Sequence, residues 1–154
     1  MSEGSPARLP DAVLFACNLN RVRSPMAEAL LKRLLGDRVF VDSCGLRAPG
    51  GGAADETDVD PLAQEVMREL GCDLAGHRAK TFDELNDDSF DLVISLTPEA
   101  QHRAVEMARG RAAEIEYWPT FDPTLSEGSR EARLEAYRQV RDALAARIAE
   151  RFRR

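Results

Sequence analysis

Cysteine is scarce in this sequence: there are three in 154 residues, Cys17, Cys44 and Cys72, odd in number and unevenly spaced. That argues against a disulfide framework and for a reducing compartment, read here as the cytoplasm. Long apolar runs are missing as well. Nothing approaches the roughly 20 residues of a membrane helix, so no membrane partner is expected. The first ten residues carry no apolar stretch of the signal-peptide kind and read as a disordered lead, 1–10. Positive charge is in deficit. A formal net charge of -6 argues against nucleic acid as the main partner, although it says nothing about a local pocket. Repeats, low-complexity tracts and signs of a second domain are also lacking. What is present is ordinary for one globular domain over 11–154, with 44% hydrophobic and 31% charged residues.

Apolar runs alternate with helical patterns. Ala12 to Ala16 is a short continuous apolar run, as in a strand buried on both faces. Ser24-Pro25 reads as a helix start, with Ser24 as N-cap and Pro25 in the first position. Ala27, Leu30, Leu31 and Leu34 follow at helical spacing, and Gly36 ends the run. Val39 to Val41 reads as a second strand and Leu46 to Asp58 as a loop. Asp60-Pro61 opens a helix that runs through Leu70 and is stopped by Gly71, and Thr81 to Glu84 fits a capping box. Phe90 to Leu96 reads as strand three, followed by a helix from Thr97-Pro98 to about Arg109. Glu114 to Trp118 reads as strand four, and Ser129 to Arg151 as a last helix. Such alternation predicts an α/β fold, a single three-layer domain with a parallel sheet and helices on both faces. Ligands of these sheets bind at the carboxyl ends of the strands, where Cys17 falls.

A cysteine, five residues and an arginine is a weak pattern, and it occurs twice, as Cys17/Arg23 and Cys72/Arg78. Context separates them. Cys17 follows a buried strand and Arg23 precedes a helix start, where backbone N–H groups and the helix dipole favour an anion. Cys72 follows a helix, and Asp73 beside it would repel an anion, so it reads as a small core hydrophobe. The segment Cys17-Asn18-Leu19-Asn20-Arg21-Val22-Arg23-Ser24 is therefore the candidate phosphate-binding loop. Cys17 is its nucleophile, since a nest of donors favours the reactive thiolate. Arg23 supplies a planar fork for two phosphate oxygens. Ser24 can donate to the sulfur, and Asn20 tolerates the left-handed backbone of a tight anion nest. Arg111, Arg130, Arg133, Arg138 and Arg141 interleave with acids and read as a solvated face.

The run from Leu14 to Cys17, then Asn20, then Arg23 to Glu28, resembles the signature of low-molecular-weight protein tyrosine phosphatases, which the thioredoxin-coupled arsenate reductases share. Asp42 to Gly45, Gly76 to Ala79, Asp91 to Ile94 and Trp118 to Pro123 are similar to further family segments, so the resemblance covers nearly the whole chain. It implies a four-stranded parallel sheet of order 2-1-3-4. It also implies phosphomonoester hydrolysis through a phosphocysteine, with Asp122 of Asp122-Pro123 as general acid. Asn20, Ser24, Ser43 and His77 are implied to support the loop. No cofactor and no metal enter this reading. The expected partner is a phosphorylated protein or a small phosphomonoester, and the oligomeric state is open.

This sequence departs from the family pattern in places. Leu19 stands where family phosphatases usually have glycine, Val22 where many have a second loop cysteine, and Arg21 is an extra cation. Arg47-Ala48-Pro49-Gly50 and Thr124-Leu125 occupy places where phosphotyrosine enzymes carry aromatic walls. Thr97 holds the place of a relay cysteine of the thioredoxin-coupled reductases, and no cysteine follows Cys72. Two alternatives therefore stay beside the phosphatase: an arsenate reductase served by an external thiol, and a non-catalytic phospho-ligand module. Cys44, in place of the family's usual alanine, reads as a small buried thiol, and a Cys17–Cys44 disulfide is also open.

Overall fold

The computed structural model describes residues 9–47, 59–85 and 89–153. Most of the expected lead, most of the 46–58 loop and Asp87-Asp88 lie outside them. The elements are β1 (Ala12–Cys17), α1 (Arg23–Leu35), β2 (Phe40–Gly45), α2 (Pro61–Arg68), β3 (Leu92–Ser95), α3 (Pro98–Ala108), β4 (Glu114–Tyr117) and α4 (Arg130–Phe152). The four strands are all parallel in the order β2-β1-β3-β4, as the resemblance implies. The chain steps outward from β1 to β2 and then crosses to β3 on the other side. The switch point thus lies beside β1, at whose carboxyl end Cys17 sits.

Alternation along β1 divides the core. Val13, Phe15 and Cys17 face one layer with Met26, Leu31, Tyr137 and Leu144, beneath α1, α2 and α4. Leu14 and Ala16 face the other layer with Cys44, Val93, Ala100 and Ala104, under α3. Three of the four helices start as the sequence predicts. The Asp60 carboxylate accepts from the N–H groups of Leu62 and Ala63, the Thr97 hydroxyl from Ala100 and the Ser129 hydroxyl from Ala132. The capping box at Thr81 and Glu84 is also present.

Two expectations need correction. The start of α1 is two residues earlier than expected, and Ser24 does not cap it: the N-cap is Val22, with no side-chain cap bond. The Ser24 hydroxyl turns to sulfur instead, as described below. Arg141 is not on a solvated face. It is 7% exposed, and its guanidinium donates to the Val66 carbonyl and to Glu69 at 2.8 Å each. Its long arm reaches the Val66 carbonyl near the end of α2 and the carboxylates of Glu69 and Asp142, which offset the cost of burying it.

Candidate active site

The loop from Cys17 to Ser24 folds into a nest because its middle residue takes the left-handed conformation. Asn20 has φ of 60°, the only positive value among the described non-glycine residues, and is wholly buried. Such a backbone costs about 1–2 kcal/mol for most side chains and less for asparagine. Four hydrogen bonds hold it. Its amide NH2 donates to the Ser24 hydroxyl at 2.8 Å and the Ser43 hydroxyl at 3.0 Å. Its amide oxygen accepts from Lys80 N–H at 3.0 Å, and its carbonyl lies 2.9 Å from His77 Nε2. A carbonyl only accepts, so His77 holds its proton on Nε2. Burial lowers the pKa of His77, against the opposing pull of the Asn20 carbonyl and of Glu28. Ser43 in turn donates to Glu28 at 2.6 Å.

The Cys17 sulfur, 2% exposed as a residue, lies 2.9 Å from the Ser24 Oγ. Since Asn20 already donates to that oxygen, the one hydroxyl proton of Ser24 can point at the sulfur. Its other acceptor, the Cys44 carbonyl, is 3.4 Å away. Arg23 is anchored by a 2.9 Å bond to the Thr120 carbonyl, and its other guanidinium arm stands 3.8 Å from the Asp122 carboxylate. Asp122 serves two geometries at once. One oxygen caps the Pro123–Leu125 turn by accepting from the Thr124 N–H at 3.0 Å and its hydroxyl at 2.7 Å. The other faces Arg23.

These groups line one cavity of about 150 Å³, made by Cys17, the loop residues Asn18 to Arg23, Arg47, Asp60, Asp122 and Thr124. The structure therefore brings Cys17, Arg23 and Asp122 together, with Asn20, Ser24, Ser43 and His77 bracing the loop from behind. Cys72 and Arg78 are not part of it; Cys72 is half-buried against the main core. His102 is exposed on α3. Among the described residues no group of three or more His, Cys, Asp or Glu could hold a metal.

Some supports carry no local signal in the sequence. Gly45 at the end of β2 abuts the loop so closely that a Cβ there would lie 2.9 Å from Asn18 O, Asn20 N and Leu19 C. Only glycine fits. Thr97, besides capping α3, donates its hydroxyl to the Asn18 amide oxygen at 2.7 Å. Asp60 lies in the cavity wall, donates its N–H to the Arg21 carbonyl at 3.0 Å and accepts from the buried Tyr137 hydroxyl at 3.2 Å. The strand register explains Cys44. It pairs with Ala16, while Cys17 pairs with Gly45, so the two thiols point to opposite faces of the sheet. Burial pushes the Cys44 thiol far up, away from its reactive form. All three cysteines are free.

The chain's similarities agree with this site. The family model for low molecular weight phosphotyrosine protein phosphatase matches residues 12–151. An arsenate reductase of Halalkalibacterium halodurans is 34% identical over 136 residues, which cover 88% of this chain and 91% of the relative. An arsenate reductase solved in its phosphate-binding state superposes with a TM-score of 0.72 at 30% identity, over 91% of this chain and 95% of that one. A low molecular weight protein tyrosine phosphatase from T. tengcongensis gives 0.72 at 28% identity, over 90% and 95%. With its order of four parallel strands and its cysteine loop at the switch point, the chain belongs to the low molecular weight phosphotyrosine protein phosphatase family.

Proposed function

We propose that this protein is a phosphomonoester hydrolase that works through a phosphocysteine on Cys17. One observation carries the proposal: Cys17, Arg23 and Asp122 line a single cavity at the carboxyl edge of the sheet. A binding module needs the nest and the arginine, but neither a thiol nor a carboxylic acid. In the first step the Cys17 sulfur forms an S–P bond while the ester P–O bond breaks. Asp122 gives its proton to the departing oxygen, a contribution typically worth ~10² to 10⁴-fold. Loop N–H groups and the Arg23 fork hold the equatorial oxygens, whose charge changes most in the transition state. In the second step water attacks phosphorus and Asp122 takes its proton. The S–P bond breaks, and the Ser24 hydroxyl stabilises the departing thiolate. The balance is ester plus water to alcohol plus phosphate. The partner is a phosphorylated protein or small phosphomonoester, and the three free thiols suit a cytoplasmic setting.

A second reading is favoured by the 34% identity to an arsenate reductase. Arsenate has phosphate's shape and charge, so the same nest suits it. Its reduction takes two electrons, which two external thiols would supply, leaving as a disulfide with arsenite and water. An internal relay has no support, because Thr97 occupies its position with a hydroxyl and Cys44 faces the opposite layer. One assay separates the readings: turnover of an aryl phosphate, against turnover of arsenate with added low-molecular-weight thiols. Phosphate release without arsenite formation is the expected result. Arsenite formation without phosphate release would replace the hydrolase, and the absence of both would leave a binding module.

A further inference from the structure

A phosphotyrosine ring would need a stacking surface in the cavity around Cys17 and Arg23. Among the described residues, none that lines the cavity is aromatic. Phe121, the exposed aromatic nearest in sequence, lines the neighbouring groove with Trp118 and Val140 instead. What the cavity offers is donors. Arg47 is fixed against the loop by its backbone, its N–H donating to the Asn18 carbonyl at 3.2 Å, beside the two bonds that Leu46 N–H makes to Cys17 and Asn18. Arg47 lines the cavity, and among the described residues no acceptor is bonded to its guanidinium. Among the described residues, the two acids that line the cavity are committed. Asp60 uses one oxygen for the start of α2 and the other for Tyr137, and Asp122 is shared by Thr124 and Arg23. Asn18 adds a second donor. The Thr97 hydroxyl accepts from Ala100 N–H, so its own proton goes to the Asn18 amide oxygen, and this fixes the amide with its NH2 at the other end.

A single phosphate group is fully held by the loop and Arg23, which leaves Arg47 and the Asn18 amide without a task in that step. We propose that they receive a second anionic group, a carboxylate or another phosphate, on an aliphatic substrate, and that Arg47 is the specificity-determining residue. The inference rests on the hydrolase reading and deepens it to a substrate class. A guanidinium binds such a group bidentately, and loses it with rising salt because it is exposed. An exposed pair of this kind supplies up to about 1 kcal/mol, or roughly five-fold in affinity.

The test uses three esters of equal chain length: carboxyethyl, propyl and aminopropyl phosphate, with phenyl phosphate as the aromatic arm. Binding is measured by calorimetry on the Cys17→Ser protein, so that turnover is not required, and kcat/KM on the unsubstituted protein. Carboxyethyl phosphate should bind about five-fold more tightly than propyl phosphate, with aminopropyl phosphate weakest and phenyl phosphate gaining nothing. Arg47→Gln should bring the carboxyethyl-to-propyl ratio to about one, and added salt should shrink it. Equal binding of the three aliphatic esters, a ratio untouched by Arg47→Gln, or a preference for phenyl phosphate would overturn the proposal. Absence of binding by all four would remove the phosphate site along with it. Discriminating binding without turnover would remove the hydrolase and leave the anion preference standing.

Discussion

Truncating Asn20 tests the nest through its physical cause. Asn20→Ala removes three side-chain hydrogen bonds, to Ser24, Ser43 and the Lys80 N–H, in a wholly buried setting. At about 1 kcal/mol net for each bond, the loss is about 3 kcal/mol. Alanine must also hold φ of 60°, at a further cost of about 1–2 kcal/mol. The sum is about 4–5 kcal/mol, or a fall in Tm of roughly 8–20 °C for a domain of this size. Asn20→Gly loses the same three bonds but takes the left-handed backbone freely, and loosens the unfolded chain by about 0.4–1 kcal/mol. The glycine variant should therefore be at least as stable as the alanine one, while both lose activity because the donors no longer converge. Urea unfolding of the three proteins, with kcat/KM on an aryl phosphate, decides it. A cost below about 1 kcal/mol for Asn20→Ala, or a glycine variant clearly less stable than alanine, would refute this account of the loop.

Asp122→Asn should slow phenyl and alkyl phosphates steeply, by ~10² to 10⁴-fold, and a strongly activated nitrophenyl phosphate much less. A defect independent of the leaving group would return Asp122 to its turn-capping role alone. Arg23→Lys should lose most activity, since an ammonium cannot bind the Thr120 carbonyl and two phosphate oxygens in one plane, whereas Cys72→Ala should leave kcat nearly unchanged. His77 should make the fold acid-sensitive. Its pKa is lowered in the folded protein, so the unfolded chain takes up the proton first, near pH ~6.5. Stability is thus full above about pH 6.5 and falls as pH drops through the folded value, and His77→Gln should flatten that slope in urea midpoints. A slope of opposite sign would place the charged form of His77 in the native loop.

Much of this was legible in the sequence because the decisive signals are local. A buried strand, Cys17, Arg23 and the start of a helix lie within a few residues of one another, which separates this pattern from its copy at Cys72. Asp60-Pro61, Thr97-Pro98 and Ser129 announce their helices for the same reason. Ser24 shows the limit. A serine before a proline and an apolar helical run looks the same whether its hydroxyl turns to the helix or to a sulfur seven residues back. Gly45, Thr97 as a partner of Asn18, and the Tyr137–Asp60 contact join residues dozens of positions apart. The sheet register brings the first two together, and the packing of α4 against α2 the third. Arg141 was misplaced because an arginine among acids reads as solvated until the end of α2 is seen beside it.

The central claim is that Cys17 carries the phosphoryl group between the two steps. Acid-quenching the protein during turnover of an aryl phosphate, then mapping phosphoryl adducts by mass spectrometry, tests it most directly. The adduct should appear on the peptide containing Cys17, and Asp122→Asn should change how much accumulates. Cys17→Ser should bind vanadate yet show neither adduct nor turnover. An adduct on another residue, or undiminished turnover by folded Cys17→Ser, would contradict the account.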